Sequence, residues 1–234
     1  MKTLVILSGG MDSTTLMYDE LAKAKENGNS IEAVSFNYGQ RHSKELGFAE
    51  ATCKKLGVSW TSIDLSHLKE ILSGSALTSG SIDVPEGHYA ADNMKATVVP
   101  NRNMIMLSIA TGHAIVRGAH RVAYAAHFGD HAIYPDCRKE FADALGKAIA
   151  LCDWSEMQLS RPYVEIDKTE IVRIGNKIGV PYEDTWSCYK GQELHCGNCG
   201  TCVERREAFA LADVDDPTEY APSARDLNDL LNEA

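Results

Sequence analysis

The string Ser8-Gly9-Gly10-Met11-Asp12-Ser13, set directly behind the apolar run Leu4-Val5-Ile6-Leu7, constrains this chain more than any other feature. A short apolar run of that kind reads as a buried strand, and the glycines end it in a tight turn. Helical spacing follows, with Gly28 as a stop, so a helix is predicted over 13–27. The alternation continues with a strand over 31–38, a helix over 42–56 closed by Gly57, and a strand over 58–65. Such alternation implies a parallel sheet with right-handed crossovers. The expected fold is α/β, a Rossmann-like parallel sheet with helices on both faces.

Further along, helices are predicted over 101–117, 138–151 and 168–178, with strands over 121–126 and 162–166. In the first of these helices Ile105, Leu107, Ile109, Ala110 and Ile115 are expected to be largely buried. Residues 73–100 are rich in Ser, Gly and Pro and have no clear period, which suits a lid or binding loop, or a tolerated surface insertion. A last helix is expected to start near Cys202 and run past Phe209, before an acidic, partly mobile tail beyond Asp213.

The 234 residues carry a formal net charge of −10, which disfavours a large nucleic-acid partner, because that affinity comes mostly from Lys and Arg on phosphates. No run approaches the roughly 18 apolar residues of a membrane helix. The N-terminal apolar run is too short for a signal peptide, so a cytoplasmic location and no membrane partner are expected.

The loop at 8–13 has the makings of an anion site. Glycines let the backbone approach an oxyanion, the helix N-terminus offers free N–H groups, and Ser8 and Ser13 add hydroxyls. Asp12 is an anion beside that site, and a bridging Mg²⁺ would account for it. The string is not a Walker A sequence, since it lacks the lysine. The plainer alternative is a strand-to-helix turn with Asp12 or Ser13 as cap.

A second signal is Cys188-x7-Cys196-x2-Cys199-x2-Cys202. Four thiolates can close a tetrahedral shell around one Zn²⁺ per chain, and Gly197 and Gly200 sit where turns between ligands are needed. A closed shell leaves no open position, so the metal would be structural. An iron–sulfur cluster and redox-active thiols are the alternatives. His195 is a neighbour of this group rather than a fifth ligand.

Between these signals lie Val99-Pro100-Asn101-Arg102-Asn103, Tyr134-Pro135-Asp136-Cys137-Arg138 and Thr185-Trp186-Ser187-Cys188-Tyr189. The Ser-Gly-Gly-x-Asp-Ser string resembles that of the PP-loop pyrophosphatase superfamily, whose members cleave ATP to AMP and pyrophosphate. Taken in order, with Arg205 and Ala208-Phe209 at the end, the motifs resemble the 7-cyano-7-deazaguanine synthase family (QueC) over about 3–210. The resemblance implies an adenine nucleotide alpha hydrolase-like fold. It implies a PP-loop ATP-binding and catalytic domain over 1–184, and a zinc-binding segment with C-terminal helix and tail over 185–234. It further implies a carbon–nitrogen ligase of queuosine-precursor synthesis, acting as a homodimer. Such an enzyme would convert 7-carboxy-7-deazaguanine, ammonia and ATP to 7-cyano-7-deazaguanine through an adenylated carboxylate and an amide.

The same resemblance implies roles. Leu7, Ser8, Gly9, Gly10, Met11, Asp12, Ser13, Thr14, Thr15, Leu16 and Met17 would bind ATP with Mg²⁺. Asp12, Arg102 and Lys168 would be catalytic, and Arg102, Asn103, Tyr134, Asp136 and Arg138 would hold the substrate. Cys188, Cys196, Cys199 and Cys202 would hold zinc, while Cys137 is expected to be a buried packing residue. The segment His127-Phe128-Gly129-Asp130-His131-Ala132-Ile133 departs from the family pattern. It leaves open release of the amide, or activation of another carboxylate or of a protein. A tRNA thiolase, a glutamine-dependent amidotransferase and a non-catalytic zinc-stapled ATP-binding module are the rival readings.

Overall fold

A computed structural model describes residues 1–41 and 43–232. Its strands are β1 (Lys2–Ile6), β2 (Ser30–Asn37), β3 (Ser59–Asp64), β4 (Arg121–Ala123) and β5 (Gln158–Ser160). They form one sheet in the order β3-β2-β1-β4-β5, with every pairing parallel. Lys2 aligns with Ser30 on one side of β1, and Thr3 with Arg121 on the other. The chain therefore winds outward from β1 in both directions, which opens a crevice at the carboxyl ends of the central strands.

Among the described residues seven α-helices accompany the sheet: α1 (Met11–Glu26), α2 (Lys44–Leu56), α3 (Arg102–Val116), α4 (Lys139–Ile149), α5 (Lys168–Lys177), α6 (Gly200–Ala212) and α7 (Leu227–Asn232). Successive residues of a strand face opposite ways, and β1 divides the core accordingly. Leu4 packs with Leu107, Ala110 and Ala114 of α3 and with Ala142, Leu145 and Ile149 of α4. Val5 packs on the other face with Leu16 and Met17 of α1, Ala49 and Cys53 of α2, and Ile171 of α5. Helices thus cover both faces, as expected. The helix predicted from 42 begins at Lys44, and His42 lies outside the described residues.

Four expectations need correction. The fifth strand is Gln158–Ser160, whereas 162–166 is a turn whose Tyr163 and Val164 are nevertheless buried. In α3, Leu107 and Ala110 are buried, but Ile105, Ile109 and Ile115 are only partly covered. Residues 73–100 are not a loose surface insertion: Ala76, Leu77, Val84, Tyr89, Met94 and Val99 are all buried, and Leu77 and Tyr89 also line a cavity, in keeping with the binding-loop alternative. The tail is also docked. Ala221 N–H bonds the His195 carbonyl at 2.8 Å, and Leu230 of α7 is buried. Among the described residues no helix is long and apolar enough to cross a membrane.

Candidate functional site

A cavity of about 290 Å³ opens at the carboxyl ends of β1, β2 and β4. Ile6 and Leu7, Phe36 and Tyr38, and Tyr124 to Ala126 line it from the three strands, joined by Ser8, Gly10, Met11, Asp12 and Ser13. The loop between β1 and α1 is held by its own side chains. Ser8 N–H donates to Ser13 Oγ at 3.1 Å, the two hydroxyls stand 2.9 Å apart, and Gly10 N–H donates to Ser8 Oγ at 3.2 Å. Gly9 has φ +90°, and a Cβ there would lie 2.1 Å from the Glu45 carbonyl oxygen. Only glycine takes that backbone at that spacing.

Helix α1 starts from Gly10 with no side-chain cap, so neither Asp12 nor Ser13 caps it. Its first-turn N–H groups have no intrahelical acceptor. Asp12 lies in that turn, and its Oδ1 is buried without a hydrogen-bond partner. An orphaned carboxylate oxygen beside N–H donors without an intrahelical acceptor fits a cation that is shared with a bound anion.

Lys168 reaches Asp12 from the first turn of α5, a helix capped by Asp167 through a 2.8 Å bond from Glu170 N–H. Its Nζ lies 3.3 Å from Asp12 Oδ2 and 2.5 Å from Glu204 Oε2 of α6. Burial works to lower the Lys168 pKa, but Asp12, Glu204 and Asp130 outweigh it, and the ammonium is held charged above the usual lysine range. Burial pushes the Glu204 carboxyl up. His127 completes the group: Nδ1 accepts from Gly129 N–H at 3.1 Å, and Nε2 lies 3.6 Å from Asp130, 3.8 Å from Asp12 and 3.9 Å from Glu204. Asp130 in turn accepts from the Tyr89 hydroxyl at 2.9 Å.

Across the cavity Arg102 opens α3 and points its guanidinium at Tyr38, with Nη1 3.5 Å from the hydroxyl. Tyr134 OH pairs with Thr97 Oγ1 at 2.6 Å and lies 3.4 Å from Tyr189 OH. The Tyr124 hydroxyl is buried and has no partner.

Of the residues anticipated from the sequence, Leu7, Ser8, Gly10, Met11, Asp12, Ser13, Arg102, Asn103, Tyr134 and Lys168 line the cavity. Gly9 supports it from behind, its carbonyl accepting from Trp186 N–H at 2.9 Å. Thr14, Thr15, Leu16 and Met17 lie outside the lining. Thr15 Oγ1 is spent on the Met11 carbonyl and Tyr182 OH, and Leu16 and Met17 are core residues. Asp136 and Arg138 also lie outside the lining. Asp136 Oδ2 accepts Asn103 N–H at 2.9 Å, which anchors the start of α3, and Arg138 Nε donates to the His131 carbonyl. Cys137 is buried and accepts from Asn103 Nδ2 at 3.2 Å.

Sequence reasoning gave no role to Glu204, Tyr38, Tyr89 or Tyr124, and took His127 and Asp130 only as a departure. Tyr38 and Tyr124 follow directly on β2 and β4, and the carboxyl ends of such strands are where ligands bind. That position was the available signal.

The four cysteines form a buried group whose sulfurs all lie within 4.8 Å of one another, with Cys196 and Cys202 4.0 Å apart. The Cys196 sulfur accepts from the N–H groups of Asn198 and Cys199 at 3.4 and 3.3 Å. Tetrahedral bonds of about 2.3 Å place thiolates about 3.8 Å apart, so the group suits a single metal ion. His195 stays outside the sulfur group. Its Nε2 accepts Ser187 N–H at 3.1 Å, and its ring packs on Trp186.

A family profile described as "Queuosine biosynthesis protein QueC" matches residues 2–213. The 7-cyano-7-deazaguanine synthase of Caldicellulosiruptor saccharolyticus is 54% identical over 220 residues, covering 94% of this chain and 96% of the relative. That of Methanoregula boonei is 51% identical over 222 residues, covering 95% of this chain and 100% of the relative. The NMN synthetase of Francisella tularensis superposes with a TM-score of 0.52 at 15% identity, over 99% of this chain and 84% of that one, a likeness of fold alone. With the profile spanning nearly the whole chain and two relatives above half identity, the chain belongs to the QueC family.

Proposed function

We propose that the chain is an ATP-dependent carbon–nitrogen ligase that converts 7-carboxy-7-deazaguanine and ammonia to 7-cyano-7-deazaguanine. The observation that carries this is a single cavity in which the Ser-Gly-Gly-Met-Asp-Ser loop and Lys168 face Arg102 and the tyrosines. One side suits a triphosphate and the other a planar aromatic acid. The substrate carboxylate attacks the α-phosphorus of ATP and pyrophosphate leaves. Ammonia adds to the acyl carbon and AMP leaves with one former carboxylate oxygen. The amide oxygen then attacks a second ATP, pyrophosphate leaves again, and loss of AMP and protons gives the nitrile.

Ser8, Gly10 and the first-turn N–H groups of α1 hold the phosphates, Gly9 shapes the loop, and Lys168 offsets the charge that develops on the α-phosphate. When bound, Mg²⁺ supplies positive charge at Asp12 for the phosphate oxygens. Arg102 suits either a phosphate or the substrate carboxylate, because its planar fork matches both. Tyr134, with Tyr38 and Tyr189, offers ring faces to the base. Asn103 and Asp136 act by fixing the start of α3, and so the direction of Arg102.

Zinc is the metal of the cysteine group. In a [4Fe–4S] cluster, by contrast, each of four thiolates binds a different iron and the sulfurs stand further apart than here. Residues 1–184 then form the ATP-binding unit and 185–234 a zinc-stapled wall, to which Trp186, Ser187, Tyr189 and Thr201 contribute cavity surface. Ammonia arrives as the free base, the chain works in the cytoplasm, and α3, with Met104 and Val116 exposed, is the face for a homodimer. The test is incubation with ATP, Mg²⁺, ammonium and 7-carboxy-7-deazaguanine, followed by mass spectrometry of base and nucleotide. Nitrile with AMP supports the assignment. Amide with AMP stops the reaction after its first half, and no AMP overturns the substrate.

A further inference from the structure

The site holds one buried ammonium among three carboxylates, and its distances are unequal. Lys168 Nζ is 2.5 Å from Glu204 and 3.3 Å from Asp12. Asp12 keeps a second oxygen, Oδ1, buried and without a partner. Asp12 is also the carboxylate nearest the open N–H groups of the phosphate loop, so an ammonium settled on it would compete with any cation there. Lys168 is shared by the two carboxylates, and its shorter contact is the one to Glu204.

Both ends of the Lys168–Glu204 pair are fixed by the fold. Lys168 is only 7% exposed and stands at the start of a capped helix. Glu204 lies one turn into α6, 8% exposed, with its Oε1 over Gly129. A Cβ on Gly129 would come within 2.7 Å of that oxygen, so the glycine makes room for the carboxylate. His127 Nε2 lies 3.9 Å from Glu204 Oε1 and leaves Oε2 to the lysine.

We propose that Glu204 is a positioning residue that draws the Lys168 ammonium toward itself, so that Asp12 keeps only the longer contact through Oδ2 and its Oδ1 stays available for the cation that accompanies ATP. The inference rests on the ATP reading above. It deepens that reading by giving α6 a part in nucleotide binding through a side chain other than its cysteines. Replacing Glu204 by a neutral side chain releases the ammonium to the next carboxylate, which is Asp12. The cation requirement for nucleotide binding rises, while affinity for the base does not change.

The test is calorimetric titration of the full, metal-loaded chain with a non-hydrolysable ATP analogue over a range of Mg²⁺ concentrations. Glu204→Gln is expected to raise the Mg²⁺ half-saturation about tenfold, within the range over which neighbouring charged residues couple. Lys168→Met serves as the second background: adding Glu204→Gln to it should change nothing further. An unchanged half-saturation in Glu204→Gln overturns the inference. So does a tenfold rise that persists without Lys168, which would make Glu204 a direct cation ligand. Should Glu204→Gln fail to fold, Glu204→Asp keeps the charge but withdraws it by one methylene, and must shift the half-saturation in the same direction. Melting temperature and bound metal per chain separate a structural defect from this effect. A wild type with no Mg²⁺-dependent nucleotide binding sinks the ATP reading and this inference together, whereas an unaltered Glu204→Gln sinks this inference alone.

Discussion

A single torsion at Gly9 shapes the loop between β1 and α1. With φ at +90°, the residue turns the chain from β1 into α1 while its carbonyl accepts Trp186 N–H. The loop passes so close to α2 that a Cβ would sit 2.1 Å from the Glu45 carbonyl. Gly9→Ala must therefore adopt a left-handed backbone and also push a helix aside. The first costs about 1–2 kcal/mol, and the two together should cost about 3 kcal/mol or more of unfolding free energy. Urea denaturation gives that number, and a nucleotide titration should show lost affinity in the fraction that still folds. A cost below about 1 kcal/mol would mean that the close approach to Glu45 relaxes freely. Asp12 contrasts with Gly9: the fold leaves one of its oxygens unpaired, which a residue kept for packing would not tolerate.

At the scale of elements, β2 is tied to its neighbours by Glu32. Its carboxylate accepts two bonds from Arg117 just past α3, at 3.0 and 2.9 Å, and lies 2.6 Å from Lys2 Nζ of β1. Arg117 is the main cause that holds the Glu32 pKa down at about 2. A carboxyl lowered in the folded state stabilises above its unfolded pKa of about 4.3, and loses that contribution as pH falls toward its folded value. Glu32→Gln should therefore cost about 1 kcal/mol at neutral pH, a modest figure because Arg117 is half exposed. The gap to wild type should close between about pH 4.5 and 2. Thermal melts of the two proteins across that range measure it, and a gap that stays constant down to pH 2 would assign the cost to something other than charge.

The elements also show what the sequence could carry. Strong periodicity and glycine stops place β1, β2, β3, α1, α2 and α5 within a few residues, because local spacing and caps decide them. The fifth strand escapes, since Gln158–Ser160 has only Leu159 buried, while Tyr163 and Val164 bury themselves from a turn with no ladder. Residues 73–100 look loose in sequence because their burial is tertiary. Met94 packs on Gly200, and Leu77 on the wall beside Val99. In the site, the loop and the cysteines announce themselves by spacing. Glu204 gives no local sign, because its meaning comes from Lys168, which is distant in sequence and 2.5 Å away in space.

Across the whole molecule, the cysteine group and the loop between β1 and α1 are linked through Arg205. This fully buried side chain donates to the Tyr182 carbonyl at 3.0 Å, to Thr185 Oγ1 at 2.7 Å and to Asp216 at 3.2 Å. It fixes the strand of chain from which Trp186 N–H reaches the Gly9 carbonyl at 2.9 Å. Cys199 stands immediately before α6 and Cys202 lies in its first turn, so a bound metal fixes the helix that carries Arg205. The cysteines pack with Trp186, Ala76 and Val84 in a cluster separate from the two that sandwich the sheet. Structural zinc binding is worth about 10–16 kcal/mol in small metal-folded peptides, so its loss should undo that cluster first. Stripping the metal with a strong chelator should thus leave most of the far-ultraviolet circular dichroism in place. Nucleotide affinity should fall about tenfold or more as the Trp186–Gly9 tie is released. Restoring Zn²⁺ at one ion per chain should recover both affinity and resistance of 185–232 to proteolysis. If the metal-free protein binds nucleotide as well as the loaded one, the staple and the phosphate loop are mechanically independent, and Arg205 holds the loop without help from the metal.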